Sequence, residues 1–328
     1  METRQIPGVS LPVSKVVLGT MIINRGCQEQ SDTLLDAALA LGVNTLDTAH
    51  VYGGGDTERA IGVWLAKRGN RDRVVLIAKG CIPNGDRQRV TPYDIGADLL
   101  DTLARFQTSY VDIWMLHRDD VTQSVGPIVE ALNEHRRAGR IRAFGGSNWT
   151  HQRIAEANAY AVAKGLTGFV ASSPNFGLAE QVQDPWGPGC VTISGPQNAA
   201  ARVWYAHTGI SVFAYSSLAR GLFSGRVKRA TLQDDVAKLD DAARTAYCHE
   251  VNYARLDRVV EMAAKKGLTV PQIATAWTLS QPLPVHALVG AATPAELENT
   301  VAGAAVRLTT AECVWLESGV GSATSGNF

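Results

Sequence analysis

The stretch Ala40-Leu41-Gly42-Val43-Asn44-Thr45-Leu46-Asp47-Thr48-Ala49-His50-Val51-Tyr52-Gly53 contains one repeat of the fold in outline. Ahead of it, Thr33–Leu41 sets Leu34, Leu35, Ala38 and Leu41 on one face at helical spacing. Gly42 stands just past that helix end, where the chain often turns left-handed and glycine does so at least cost. Val43–Leu46 is a short apolar run that reads as a strand. It stops on the carboxylate of Asp47, and Tyr52 follows closely.

Working outward, the unit recurs. Apolar runs predict strands at Val16–Leu18, Val43–Leu46, Val74–Ala78, Val111–Leu116, Ile141–Phe144, Gly168–Ala171, Ile210–Ala214 and Ala287–Val289. Helical spacing returns in Ile95–Phe106, Pro127–Ala138, Ile154–Lys164 and Leu256–Lys266, and Ala200–Tyr205 opens another helix. Ser31 and Thr91 are N-cap candidates, and Thr91-Pro92 puts proline at the first helical position. Gly139, Gly165 and Gly267 stand past helix ends as Gly42 does.

Eight near-continuously apolar strands alternating with helices predict a parallel sheet covered on both faces. The 328 residues give about 41 per unit, the scale of a closed (β/α)8 TIM barrel with insertions. No linker or low-complexity stretch divides the chain, so residues 1–328 read as one barrel domain. A doubly wound sheet would carry G-x-G-x-x-G after its first strand. Here Gly53-Gly54-Gly55 follows the second strand and lacks the third glycine. Two stretches read as enlarged, irregular loops: Ala179–Pro196 after the sixth strand and Gly225–Cys248 after the seventh. Both would overhang the active end of a barrel, where long loops are usually functional.

Composition narrows the function. Lys+Arg and Asp+Glu are equal at 31 each, which argues against nucleic acid as a partner. Cys27, Cys81, Cys190, Cys248 and Cys313 are scattered and never form C-x-x-C, so neither a disulfide framework nor a zinc site is expected. Met1-Glu2-Thr3-Arg4-Gln5 lacks the apolar core of a signal peptide, and no apolar run is long enough to span a bilayer. The expectation is a cytoplasmic enzyme with no metal and no membrane contact. The oligomeric state stays open.

The chemistry lies at the strand ends. Asp47, Lys79 and His117 each stand where an apolar run stops. A barrel aims such ends into one mouth, where Tyr52 would join them. A free tyrosine is a poor acid at neutral pH, and an adjacent ammonium makes its proton easier to give up. Aspartate would keep that lysine charged, and histidine could polarise a substrate oxygen. Taken singly, each residue has a plainer reading: a turn aspartate, a surface lysine, a structural histidine, a packed tyrosine. Their joint placement at the ends of consecutive strands favours carbonyl reduction by a nicotinamide.

Several segments resemble the aldo-keto reductase superfamily: Leu18-Gly19-Thr20-Met21, Asn44 through Gly53, Ile77-Ala78-Lys79, Trp114-Met115-Leu116-His117, Gly146-Ser147-Asn148 and Tyr215-Ser216-Ser217-Leu218-Ala219. They run in family order over most of the chain. The resemblance implies a (β/α)8 barrel with an N-terminal hairpin in Arg4–Val13 that plugs its bottom. It implies Tyr52 as proton donor, Lys79 and Asp47 as its tuning pair, and His117 as the group that orients substrate. For the cofactor it implies Gly19, Thr20, Met21 and Asp47, with Ser147 and Asn148 on the carboxamide and Tyr215 on the nicotinamide ring. Ser216, Leu218, Arg220, Gly221 and Arg226 match the loop that clasps pyrophosphate and ribose.

Ser173 stands where the family usually has glutamine. Gly290, Ala292, Glu296 and Asn299 match the segment around the adenosine 2′-phosphate, where the family often has serine or arginine and then glutamine or arginine. NADP(H) is the cofactor the resemblance favours. Glu296 would repel a 2′-phosphate and leaves NAD(H) open, unless Arg220, Arg226 or Arg229 supplies the missing charge. Ile22, Tyr52, His117, Trp149 and Trp186 are candidates for the substrate pocket, with Trp149 expected to face the mouth. The substrate class is a small carbonyl or alcohol compound such as a sugar, a cyclitol or an aldehyde. Two alternatives are a nicotinamide-binding regulatory subunit and a Schiff-base lyase using Lys79.

Overall fold

The computed structural model describes residues 1–321, so the last seven positions of the expected 1–328 domain lie outside the described residues. A hairpin comes first, β1 (Thr3–Arg4) antiparallel to β2 (Val13–Ser14). Eight strands follow: β3 (Val16–Gly19), β4 (Thr45–Asp47), β5 (Val75–Gly80), β6 (Val111–Leu116), β7 (Ile141–Ser147), β8 (Ala171–Ser173), β9 (Ser211–Ala214) and β10 (Val285–Val289). They form a closed parallel barrel in sequence order, with β10 paired to both β9 and β3. The helices are α1 (Gln28–Ala40), α2 (Asp56–Arg68), α3 (Pro92–Phe106), α4 (Val125–Arg137), α5 (His151–Ala163) and α6 (Ala199–Thr208). Then come α7 (Leu232–Ala237), α8 (Asp241–Tyr247), α9 (Glu250–Lys266), α10 (Val270–Leu279), α11 (Pro294–Ala302) and α12 (Thr310–Ser318).

Strand periodicity sorts the core into two layers. Successive residues of a strand point to opposite faces. Val75 and Ile77 of β5 therefore fill the barrel interior, while Leu76 and Ala78 meet the helices. The interior cluster also takes in Ile6, Val9 and Val13, so the hairpin closes the bottom as the family resemblance implies. Space inside is tight. A Cβ at Gly145 of β7 would lie 2.0 Å from the Ala171 carbonyl oxygen of β8, so only glycine lets these strands approach.

Several expectations shift. The eighth-strand set is complete, but the sixth expected strand, Gly168–Ala171, slides forward to Ala171–Ser173. Residue pairing is set by the neighbours, Gly145 to Ala171 and Ser147 to Ser173. Thr91 caps α3, its hydroxyl accepting from Asp94 N. Ser31 is no cap, because α1 begins earlier and its hydroxyl instead donates to the Asn24 carbonyl. The stretch Gly225–Cys248 is not irregular but carries the short helices α7 and α8. Ala179–Pro196 does lack ladder and helix until Pro196 opens a short 3-10 turn, apart from isolated bridges at Asn175–Thr192 and Pro185–Gly187.

Candidate active site

Strand lengths put the titratable groups at one end of the barrel. Asp47 is the last residue of β4, Lys79 lies one before the end of β5, and His117 follows β6. The loop after β4 folds across the end of β5, with Thr48 N donating to Ile77 O at 2.9 Å and His50 N to Lys79 O at 2.7 Å. The turn Tyr52–Gly55 then needs three successive left-handed residues, Gly53, Gly54 and Gly55 at φ +56°, +61° and +87°. Glycine accepts that conformation without a Cβ penalty. The glycine run that resembled half a dinucleotide fingerprint thus serves to return Tyr52 over the barrel mouth.

The four side chains meet. Lys79 Nζ donates to Asp47 Oδ2 at 2.7 Å and to Thr48 O at 2.8 Å, and it lies 5.2 Å from the centre of the Tyr52 ring. The Tyr52 and His117 rings stand edge to face with centres 6.0 Å apart. Burial alone would lower the Lys79 pKa, but Asp47 and Tyr52 outweigh it and raise it, so the ammonium stays charged. Burial raises the Tyr52 phenol above its ordinary value, and this exceeds the opposing pull of Lys79. The sequence reading emphasised the ammonium. In the folded chain burial is the larger effect, and Tyr52 is held protonated. Burial, with the charges of Lys79 and Arg118, pushes His117 well below the usual histidine range, so its ring is neutral. A neutral imidazole can donate one hydrogen bond to a carbonyl oxygen but does not act as its acid.

These groups line a cavity of about 1260 Å³. That exceeds the roughly 300–1,000 Å³ of an ordinary small-molecule site and leaves room for a dinucleotide beside a substrate. The lining takes in Gly19, Thr20, Met21, Ile22, Ser147, Asn148, Tyr215, Ser216, Leu218, Arg220, Gly221 and Arg226. Across the opening it continues through Trp186, Gly290, Ala292, Glu296 and Asn299. Asp47 Oδ1 is buried with no hydrogen-bond partner among the described residues, while Oδ2 holds Lys79. An unspent acceptor inside such a cavity fits a ribose hydroxyl of a nicotinamide dinucleotide. Asn148, at φ +57°, accepts from the Tyr215 hydroxyl at 2.8 Å and from Val191 N at 3.0 Å. It thereby fixes the loop after β8 against the end of β7.

Two expected residues are elsewhere. Trp149 does not face the mouth: it is fully buried against Phe169, and its indole N–H donates to Arg118 O at 3.0 Å. An indole under α5 gains more from apolar packing and one satisfied donor than from exposure. Ser173 is also fully buried and turned from the cavity, its hydroxyl donating to Phe213 O at 2.9 Å. A short side chain on a barrel strand meets the neighbouring backbone before it can reach the mouth. Reading the sequence missed Arg118, Asp120, Gln88 and Asp240, all of which line the cavity. Arg118 was within reach, since it directly follows a strand-end residue. Asp240 was not, because only folding of the α7–α8 segment brings it to Arg220, at 2.5 Å.

Among the described residues no group of three or more His, Cys, Asp or Glu side chains could hold a metal ion, and no helix is long and apolar enough to cross a membrane. The sequence model of the aldo/keto reductase family matches residues 15–318. The chain is 28% identical over 323 residues to "Uncharacterized oxidoreductase YrpG" of Bacillus subtilis, covering 94% of this chain and 92% of that one. It is 27% identical over 340 residues to "Protein tas" of Escherichia coli, covering 92% of each. To "Versiconal hemiacetal acetate reductase" of Aspergillus parasiticus it is 27% identical over 350 residues, covering 97% and 96%.

Proposed function

The chain belongs to the aldo/keto reductase family, and on that premise we propose that it is an NAD(P)(H)-dependent oxidoreductase interconverting a small carbonyl compound and its alcohol. The observation that carries this is the meeting of Tyr52, Lys79, Asp47 and a neutral His117 at the mouth of one large cavity. Bound nicotinamide supplies the hydride for reduction and accepts it for oxidation. His117 holds the carbonyl oxygen by one N–H. Tyr52 O–H gives its proton to that oxygen as the alcohol forms. Lys79, kept charged by Asp47, stabilises the phenolate that remains. In oxidation the proton returns to Tyr52 by the same path.

Gly19, Thr20, Asn148, Tyr215, Ser216 and Gly221 are proposed to hold the dinucleotide, with Asp47 Oδ1 on its ribose. The family favours NADP(H). Every arginine proposed to take the 2′-phosphate already has an acidic partner: Arg226 has Glu296 at 3.5 Å, Arg220 has Asp240 at 2.5 Å, and Arg229 has Glu250 at 2.5 Å. Arg229 also lies outside the cavity lining. These pairs support NAD(H) as a cofactor on equal terms. The Schiff-base alternative needs a neutral Lys79, and the paired, raised ammonium argues against it.

The test is Tyr52→Phe. The variant should bind NADPH or NADH in a fluorescence titration as the wild type does, while kcat for aldehyde reduction falls by about 10²-fold or more. Unchanged turnover would sink the proton-donor role. Binding of neither nucleotide by the wild type would sink the oxidoreductase reading.

A further inference from the structure

Four lysine or arginine side chains line the cavity, and three have acidic partners. Lys79 lies 2.7 Å from Asp47, Arg220 2.5 Å from Asp240 and Arg226 3.5 Å from Glu296. The fourth, Arg118, has no carboxylate oxygen within 4.0 Å among the described residues. It follows His117 directly, on the segment that leaves β6, and it is partly buried. Its Nη1 donates to His117 O at 3.1 Å, and its Nη2 stands 3.8 Å from Cys190 Sγ. A carbonyl and a thiol are neutral, and a thiol is a weak acceptor. A guanidinium offers five N–H donors, so most of this one's hydrogen-bonding capacity and all of its charge are unspent.

The acids on the adjoining segments have other partners, Asp184 near Cys190 accepting from Gln181 at 3.1 Å. Asp119 is turned to Arg153 at 3.2 Å. Asp120 Oδ1 accepts from the Thr122 amide at 3.1 Å and the Thr122 hydroxyl at 2.6 Å. The cavity that Arg118 lines also takes in the apolar side chains of Ile22, Ile82, Pro83, Val121 and Trp186. A cation held half out of water against apolar walls is costly without a counter-charge, and the missing partner is best supplied by what enters the cavity.

We propose that Arg118 is a specificity-determining residue that takes a carboxylate on the substrate. The enzyme's substrates are then carbonyl compounds bearing an acid group on an apolar frame. Guanidinium matches carboxylate in a two-pronged pair, and lysine in its place supplies charge without the fork. The assignment rests on the reading that the reacting oxygen sits between Tyr52 and His117, which puts the acid group on the β6 side of it.

The experiment compares kcat/KM for matched acids and methyl esters at saturating cofactor: glyoxylate, succinate semialdehyde and 4-formylbenzoate against their esters. In at least one pair the wild type should favour the acid by tenfold or more. Arg118→Met should cut that ratio by tenfold or more, chiefly through KM, and Arg118→Lys should restore part of it. A merely structural arginine would lower acid and ester together. That outcome, or a wild type with no preference for any acid, overturns the proposal. Calorimetry with benzoate reads the anion site without turnover. About tenfold weaker binding to Arg118→Met is expected, and equal binding overturns the assignment. If no aldehyde turns over while benzoate binding still depends on Arg118, carbonyl reduction fails and the anion site stands.

Discussion

At the scale of single residues, the site depends on environments that move protonation states apart. Burial keeps Tyr52 protonated beyond its ordinary range, and burial with two neighbouring cations keeps His117 neutral. The group proposed to give a proton therefore holds one through neutral pH, and the group proposed to orient the substrate is neutral there. This sets the expected pH profile. Reductive kcat/KM should be level across the neutral range, with no break near the histidine value of 6.5, and should fall only as Tyr52 ionises above its ordinary 10.0. Initial rates from acid to alkaline pH test this, and a limb near 6.5 that disappears in His117→Gln would show that His117 titrates after all. The sequence announced the identity of all four groups, because each interrupts or closely follows an apolar strand. It did not announce the balance at Tyr52, since burial depends on the loops packed around it.

At the scale of elements, the Tyr52 loop is held by a helix pair. Glu58 of α2 is fully buried and accepts from Thr102 at 2.7 Å and Arg105 at 2.9 Å, both on α3. Arg105 also donates to His50 O at 3.0 Å, within the loop that carries Tyr52. The contact is close: a Cβ on Gly62 of α2 would lie 2.5 Å from Arg105 O. Removing one partner of a buried ion pair leaves the other charge uncompensated. Arg105→Met should therefore cost about 3 kcal/mol of stability in urea unfolding and lower kcat by loosening Tyr52. The double variant Glu58→Met with Arg105→Met should cost less than Arg105→Met alone, since no charge is stranded. A double variant as unstable as the sum of its parts would refute the pairing. Helix α2 gave no clear sequence signal, because its buried face includes Thr57, Glu58 and Gly62 where periodicity looks for apolar residues. Its polar burial is satisfied only by α3.

At the scale of the whole molecule, closing the barrel buries a histidine at the opposite end from the site. His286 of β10 stacks on Phe213 with ring centres 4.7 Å apart, and its Nδ1 donates to Ser14 O of the hairpin at 3.0 Å. Burial pulls its pKa from 6.5 down to about 3. The unfolded chain takes up this proton below 6.5, and the folded chain does so only near 3. The contribution is thus complete above pH 6.5 and is lost as pH falls through that window, at up to about 1.4 kcal/mol per pH unit. His286→Gln should flatten the pH dependence of the urea midpoint between those limits, and an unchanged slope would mean that the wild-type imidazole is protonated in the fold. By itself the sequence determined the barrel: eight apolar runs, the glycines that end helices, and the strand-end Asp47, Lys79 and His117 are local patterns that neighbouring residues suffice to write. The tertiary structure alone decided that Trp149 and Ser173 turn inward, that α7 and α8 bring Asp240 to Arg220, and that Arg118 has no acidic partner among the described residues. Those outcomes depend on which distant side chains arrive beside each group, and distance in space is not encoded in spacing along the chain.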